Sequence, residues 1–227
     1  MSKNVTTFEV DMELKVLSKS KAKELKGLSI KKERDREGLF LAEGNKCVND
    51  TLEAFDLAYL IATKDWIINN SLVVKNFEKE LYVADKKTIS IISSYSSLPE
   101  VIAVFKLPVS SQEIPVLEND NWYILLDEIQ DPGNLGTIIR TCDWFGVYNI
   151  YASKNTVDVY GPKVVQSTMG SLSRVKVNYL DLEELILKNR KLKLIGTLLN
   201  GVPVRDFKSE RGGLILMGNE GKEFRKI

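Results

Sequence analysis

An apolar run, Trp122 to Leu126, ends in the acids Asp127 and Glu128 and breaks at Pro132-Gly133. Apolar residues at helical spacing follow: Leu135, Ile138, Ile139, Cys142 and Phe145. The period changes from continuous to 3.6 within a few residues, so a buried strand is joined to a helix by a tight loop. Asn134 stands at the helix mouth, where an amide serves as N-cap, and Arg140 follows under two turns later. Ligands in α/β sheets bind at strand ends. Both polar groups are therefore expected to face a pocket.

The alternation continues down the chain. Strands are predicted at 122–126, 147–152, 175–177, 194–198 and 214–217, and helices at 135–145, 162–169 and 182–189. Pro162 suits a first helical position, Asp181 a helix cap and Gly146 a helix C-terminus. Apolar strands separated by helices imply a parallel sheet covered on both faces.

Upstream, residues 1–12 read as a frayed start and a basic helix runs from Leu14 to Gly38. A strand and turn (40–44), a helix (45–57, with Val48, Leu52 and Phe55 inward) and a strand (58–62) come next. Helix 65–70, strand 81–83, helix 88–94 and strand 101–105 complete a mixed α/β unit spanning 1–107. Residues 108–121, with Pro108, Ser110, Ser111 and Pro115, read as a linker. A second α/β domain fills 122–227. The basic stretch holds Lys15, Lys19, Lys21, Lys23, Lys26, Lys31, Lys32, Arg34 and Arg36, interleaved with Leu17, Ala22, Leu25 and Leu28. It is either the solvated face of an amphipathic helix or a surface for phosphates.

The chain has 227 residues, 44% of them apolar, enough for a real core in one large or two small domains. Its net charge of +1 gives no overall field for nucleic acid. There is no histidine, which excludes a Ser-His-Asp triad, a histidine general base and the usual histidine-ligated zinc site. No metal is expected. Cys47 and Cys142 lack metal-ligand spacing and read as reduced, buried thiols. No apolar run reaches membrane-spanning length. The protein is expected to be soluble and cytoplasmic, without a membrane partner.

Asp131-Pro132-Gly133-Asn134-Leu135-Gly136, followed by Arg140, resembles the first signature motif of the SpoU/TrmH family of RNA 2′-O-ribose methyltransferases, part of the knotted SPOUT class. Leu214-Ile215-Leu216-Met217-Gly218-Asn219-Glu220-Gly221 resembles the second motif. Gly161-Pro162-Lys163-Val164-Val165 and Met169-Gly170-Ser171-Leu172 resemble the family's linking helix, and Gly38 to Gly44 resembles the opening of its substrate-binding domain. The likeness runs from about Val16 to Phe224. It implies a small, ribosomal-protein-like α/β RNA-binding domain followed by a trefoil-knot α/β catalytic domain. It also implies S-adenosyl-L-methionine as methyl donor, ribosomal or transfer RNA as substrate, and a homodimer with the cofactor site near the dimer contact. The family's third motif is not found before Ile227. That departure implies an incomplete knot and weaker dimerisation. It leaves open a second reading, a catalytically incomplete RNA-binding protein derived from such an enzyme.

The resemblance assigns roles. Arg140 would hold the target phosphate and ribose by charge-assisted hydrogen bonds; otherwise it is a surface arginine paired with Asp143. Asn134 would orient Arg140 or the ribose, or simply cap its helix. Glu220 would orient either of them, or belong to a polar turn. Met217, Gly218, Asn219 and Gly221 would form the cofactor loop, Gly218 through its backbone, and Thr197, Leu198 and Gly201 would wrap the adenosine end. Ser171 and Arg174 are weaker candidates for RNA contact. Glu43 is either an RNA contact or a structural turn acid.

Overall fold

The computed structural model describes residues 14–109, 113–197, 201–207 and 211–218. In its first half, β1 (Lys15–Val16) leads into α1 (Lys19–Lys26) and α2 (Lys31–Glu37). Next come β2 (Leu39–Glu43), α3 (Asn45–Thr51), β3 (Leu57–Ala62), α4 (Lys64–Asn69) and α5 (Ser71–Val74). β4 (Leu81–Val83), α6 (Lys86–Ile92) and β5 (Val101–Lys106) finish it. The five strands form one sheet in the order β1-β4-β3-β5-β2, with β5 antiparallel to both its neighbours. Alternation along the strands divides its faces. Leu41, Ile61, Ile102 and Val104 meet Ala22, Leu25, Ile89 and Ile92 of α1 and α6. Phe40, Leu60, Ala103 and Phe105 meet Val48, Trp66 and Val74 on the other side.

The second half contains β6 (Trp122–Asp127), α7 (Pro132–Trp144), β7 (Asn149–Ala152), α8 (Pro162–Ser167) and β8 (Lys176–Tyr179). It continues with α9 (Leu182–Lys188), β9 (Leu194–Gly196) and β10 (Gly213–Gly218). Its sheet runs β8-β7-β6-β10-β9, every pair parallel. Leu135, Ile139, Val164 and Val165 cover one face and Leu182 and Leu185 the other. This is the doubly covered parallel sheet that the alternation predicts. The knot stays an expectation, since its closing segment lies beyond Gly218, the last described residue.

Several elements depart from expectation. The single basic helix is two helices joined by a 3-10 turn at Gly27–Ser29, and Gly38 closes the second in the left-handed region (φ 65°). The turn redirects the chain so that Arg34 points inward, only 3% exposed. α3 ends at Thr51, whose hydroxyl donates to the carbonyls of Cys47 (2.7 Å) and Val48 (3.0 Å), and Phe55 falls in the turn beyond it. α8 stops at Ser167, and Met169 just beyond it has a positive φ of 52°. α7 starts before Asn134, with Asp131 as its cap. Asp181 and Gly146 sit as read: Asp181 caps α9, and Gly146 follows α7 with φ 72°.

The two sheets share one hydrophobic core that includes Phe40, Phe105, Leu126, Ile139 and Val165. Tyr160 from the second half packs on Phe40 (ring centroids 4.8 Å) and edge-on to Phe55 (6.4 Å). Arg34 donates to Asp158 through Nη2 (2.5 Å) and Nε (3.2 Å), and to the Leu28 carbonyl through Nη1 (2.7 Å). Gly170 approaches Asp50 so closely that a Cβ there would lie 2.2 Å from a carboxylate oxygen.

Candidate active site

Parallel strand order sets the site. β6 is the central strand, the chain leaves it toward β7, and β10 returns on its other flank. The C-terminal ends of β6 and β10 therefore bound a switch point, where doubly wound sheets bind ligands. The register sets Gly218 beside Asp127 and Met217 beside Leu126. Gly196 lies beside Leu216, and the next residue, Thr197, donates its backbone N–H (3.0 Å) and its hydroxyl (3.2 Å) to the Leu216 carbonyl. Thr197, Met217 and Gly218 thus reach one sheet edge together, beside the loop that opens α7.

That loop is tightly held. Glu128 is buried with φ 53°, a conformation costly for a residue with a Cβ. The segment 153–157 clamps it. Ser153 and Thr156 both donate to the Leu126 carbonyl, through the Ser153 N–H (2.9 Å) and the Thr156 hydroxyl (3.2 Å). The Glu128 N–H donates to the Ser153 hydroxyl (2.9 Å), and the Asn155 side chain donates to the Glu128 carboxylate (3.1 Å). Gln130 donates to the Asn155 carbonyl. Sequence spacing does not mark Glu128 and Asn155 as partners; an acid after a buried strand and a distant polar turn are the available signals.

At the helix mouth, the Asp131 carboxylate accepts the Asn134 N–H at 2.7 Å, and Pro132 occupies the first turn. Asn134 is therefore not the cap. An aspartate three residues earlier receives its amide, which leaves the exposed Asn134 side chain without a hydrogen bond among the described residues. Arg140 is also exposed and makes no ion pair or hydrogen bond among them. The Arg140–Asp143 pair, the alternative role for Arg140, does not form, and Asp143 has another partner. Arg174 donates to its carboxylate at 2.7, 2.9 and 3.1 Å. Those bonds hold Asp143 below the usual carboxylate range and push Arg174 up. Arg174 is thereby spoken for, and Ser171 is buried.

Asn134 and Arg140 are six residues apart, about 9 Å along the axis and roughly 120° around it. Helical Cα–Cβ bonds tilt toward the helix N-terminus, which is the end where Asn134 stands. Gly201 is exposed between β9 and β10. Leu198, Asn219, Glu220 and Gly221 lie outside the described residues. Glu43 is 5% exposed, and one of its carboxylate oxygens has no hydrogen-bond partner. Burial raises its pKa, which the Ser93 hydroxyl and the Ser94 amide only partly offset. It is a structural acid, not a surface contact.

Residues 121–226 match the SpoU rRNA Methylase family, and residues 19–103 match the MRM3-like substrate binding domain. A solved protein of the TrmH RNA-methyltransferase family from Porphyromonas gingivalis is 30% identical, with a TM-score of 0.77. The alignment covers 93% of this chain and 84% of that one. The chain belongs to the SpoU/TrmH family. Among its relatives, the 23S rRNA (guanosine(2553)-2′-O)-methyltransferase RlmP of Bacillus subtilis is 29% identical over 206 residues, 88% of this chain and 79% of that protein. An AdoMet-bound rRNA methyltransferase from Sinorhizobium meliloti is 26% identical with a TM-score of 0.76, covering 91% and 81% of the two chains. In this SpoU/TrmH chain, Gly136 of the first motif has a packing role. A Cβ there would lie 1.9 Å from the Ser167 hydroxyl and 2.8 Å from the Ser167 backbone of α8.

Proposed function

We propose that this protein transfers a methyl group from S-adenosyl-L-methionine to a ribose 2′-hydroxyl of ribosomal RNA. The observation carrying this reading is the pairing, at one sheet edge, of the second-motif strand end (Met217, Gly218) with the loop that opens the first-motif helix. The described part of the edge suits the cofactor. Half-buried Met217 offers apolar surface, Gly218 brings backbone close without a side chain, and Thr197 extends the neighbouring strand. When bound, the cofactor supplies a methyl group on a sulfonium, which needs no metal to activate it.

The chain's own residues then have to align and neutralise. Arg140, unpaired among the described residues and always charged, holds the phosphate and ribose of the target nucleotide. Asn134 has both a donor and an acceptor free to orient the ribose. Alignment of an acceptor oxygen with the methyl carbon accounts for much of the rate in such displacements. The hydroxyl proton passes to phosphate or solvent, because a guanidinium is always protonated in a protein and has no lone pair to accept it. Glu220, Leu198, Asn219, Gly201 and Gly221 complete the site in the same reading.

Two further features belong to the proposal. The solvent face of α7 carries Arg140 and then Trp144 and Phe145, exposed by 86% and 75%. So much apolar surface beside a site suits a second copy of this chain, and we infer a homodimer joined there. Two buried free thiols suit a cytoplasmic protein. The division into an RNA-binding unit (1–107), a linker (108–121) and a methyltransferase unit (122–227) is also part of this reading.

Calorimetric titration with S-adenosyl-L-methionine and mapping of ribose methylation on ribosomal RNA test the function. Cofactor binding is expected in the micromolar range. Arg140→Ala should abolish methylation while leaving cofactor affinity within a few-fold. RNA binding with no cofactor binding would instead establish the non-catalytic reading. For the dimer, Trp144→Glu should halve the mass measured by light scattering; an unchanged mass would move the contact elsewhere.

A further inference from the structure

Lys19, Lys64 and Lys86 are far apart in sequence, yet they line one cavity of about 480 Å³ at an end of the first sheet. Parallel pairing brings them together. β1, β4 and β3 are neighbours running in the same direction, so the chain leaves all three at one edge, and each lysine opens the next helix. All three side chains are exposed, and none has an ion pair or hydrogen bond among the described residues.

The rest of the basic stretch is largely committed. Lys15 donates to the Lys79 carbonyl, Lys21 pairs with Glu24, Lys31 with Asp35, Arg34 with Asp158, and Arg36 with Glu33 and Glu37. Most of these pairs join neighbouring charges on the exposed helix surface. At the cavity itself, Ser18, Thr63 and Asp85 already accept the first-turn amides of their helices. Attraction for an anion is left to the three ammonium groups, set against Asp65 and Asp85. Among the described residues no aromatic ring lines the cavity, so they offer no stacking platform for a base. Its chemistry matches a phosphodiester oxygen.

We propose that this cavity seats a backbone phosphate of the folded RNA substrate, held by Lys19, Lys64 and Lys86. The proposal rests on the RNA-methyltransferase reading above. In the sheet order, β4 lies three strands from β2, the edge against which α8 packs. At roughly 4.8 Å per strand, the cavity is about 14 Å beyond that edge. The phosphate it holds therefore belongs to a part of the RNA distant from the reacting ribose, and only a folded RNA spans both. The contact positions the substrate without reading its sequence.

The test is RNA binding by the full-length protein, measured by fluorescence polarisation with transcribed domains of large-subunit ribosomal RNA across a salt series. The triple variant Lys19→Ala/Lys64→Ala/Lys86→Ala should raise Kd on the order of 10- to 100-fold and flatten the slope of log K against log salt by roughly 0.9 per lost phosphate contact. A second triple variant, Lys23→Ala/Lys26→Ala/Lys32→Ala, removes the same charge outside the cavity and should have a much smaller effect. Wild-type affinity and slope in the first variant, or equal losses in both, would overturn the proposal. Circular dichroism checks that both variants fold. Cavity-dependent RNA binding without methyl transfer would sink the enzyme reading and leave the phosphate site standing. Methylation with an unmoved salt slope would do the reverse, and absence of RNA binding by the wild type would remove both.

Discussion

Glu43 shows how a single residue's setting decides its role. Its sequence neighbourhood suits a structural turn acid as well as an RNA contact, and at 5% exposure one carboxylate oxygen has no hydrogen-bond partner among the described residues. Its folded pKa is raised by burial from the ordinary value of 4.5. The stability this shift contributes is fully present below the unfolded pKa and is lost as pH rises through the folded one. Glu43→Gln cannot ionise. It should melt above the wild type at pH 7–8, with the gap closing below about pH 5. Thermal melts across that range check it, and a gap independent of pH would mean that Glu43 does not titrate on unfolding. Asn134 carries a related lesson. An asparagine at a helix mouth reads as a cap, but Asp131 takes that role by accepting the backbone N–H of Asn134, and two residues later Gly136 does packing work.

At the scale of elements, α7 and α8 cross closely because Gly136 has no side chain. Alanine is the better helix former by about 1 kcal/mol, so on propensity alone Gly136→Ala would stabilise α7. The Ser167 backbone at 2.8 Å from the added Cβ decides otherwise. Overpacking of this kind costs about 1–3 kcal/mol, and the net effect should be destabilising, read as a lower denaturation midpoint at unchanged m-value. A midpoint that rises would show that α8 moves aside freely. Helix and strand types were legible from periodicity in both halves. Helix ends were not: Thr51 and Ser167 turn their hydroxyls back onto carbonyls of the last turn, a contact that apolar spacing does not signal. The split of the basic helix at Gly27–Ser29 follows from Leu28 turning into the core, 2% exposed.

At the scale of the whole molecule, the two sheets behave as one body. The core is continuous from Phe105 to Ile139, and Arg34, with its side chain 4% exposed, is paired across the halves with Asp158. Removing one partner of a buried pair strands the other charge. Asp158→Ala should therefore cost about 3–5 kcal/mol, and both halves should still unfold in one transition, seen as coincident near- and far-UV dichroism melts. Two separate transitions would show that the halves are only loosely joined. The sequence by itself determined the α/β class, the strand–turn–helix around Asn134 and Arg140, and the two motifs, because period and local order are properties of consecutive residues. Only tertiary structure decided that Arg174, not Arg140, takes Asp143, that Arg34 is buried, and that Lys19, Lys64 and Lys86 share a cavity. Those outcomes depend on which strands pair and where their ends meet, and pairing between distant segments leaves no trace in the spacing of either one.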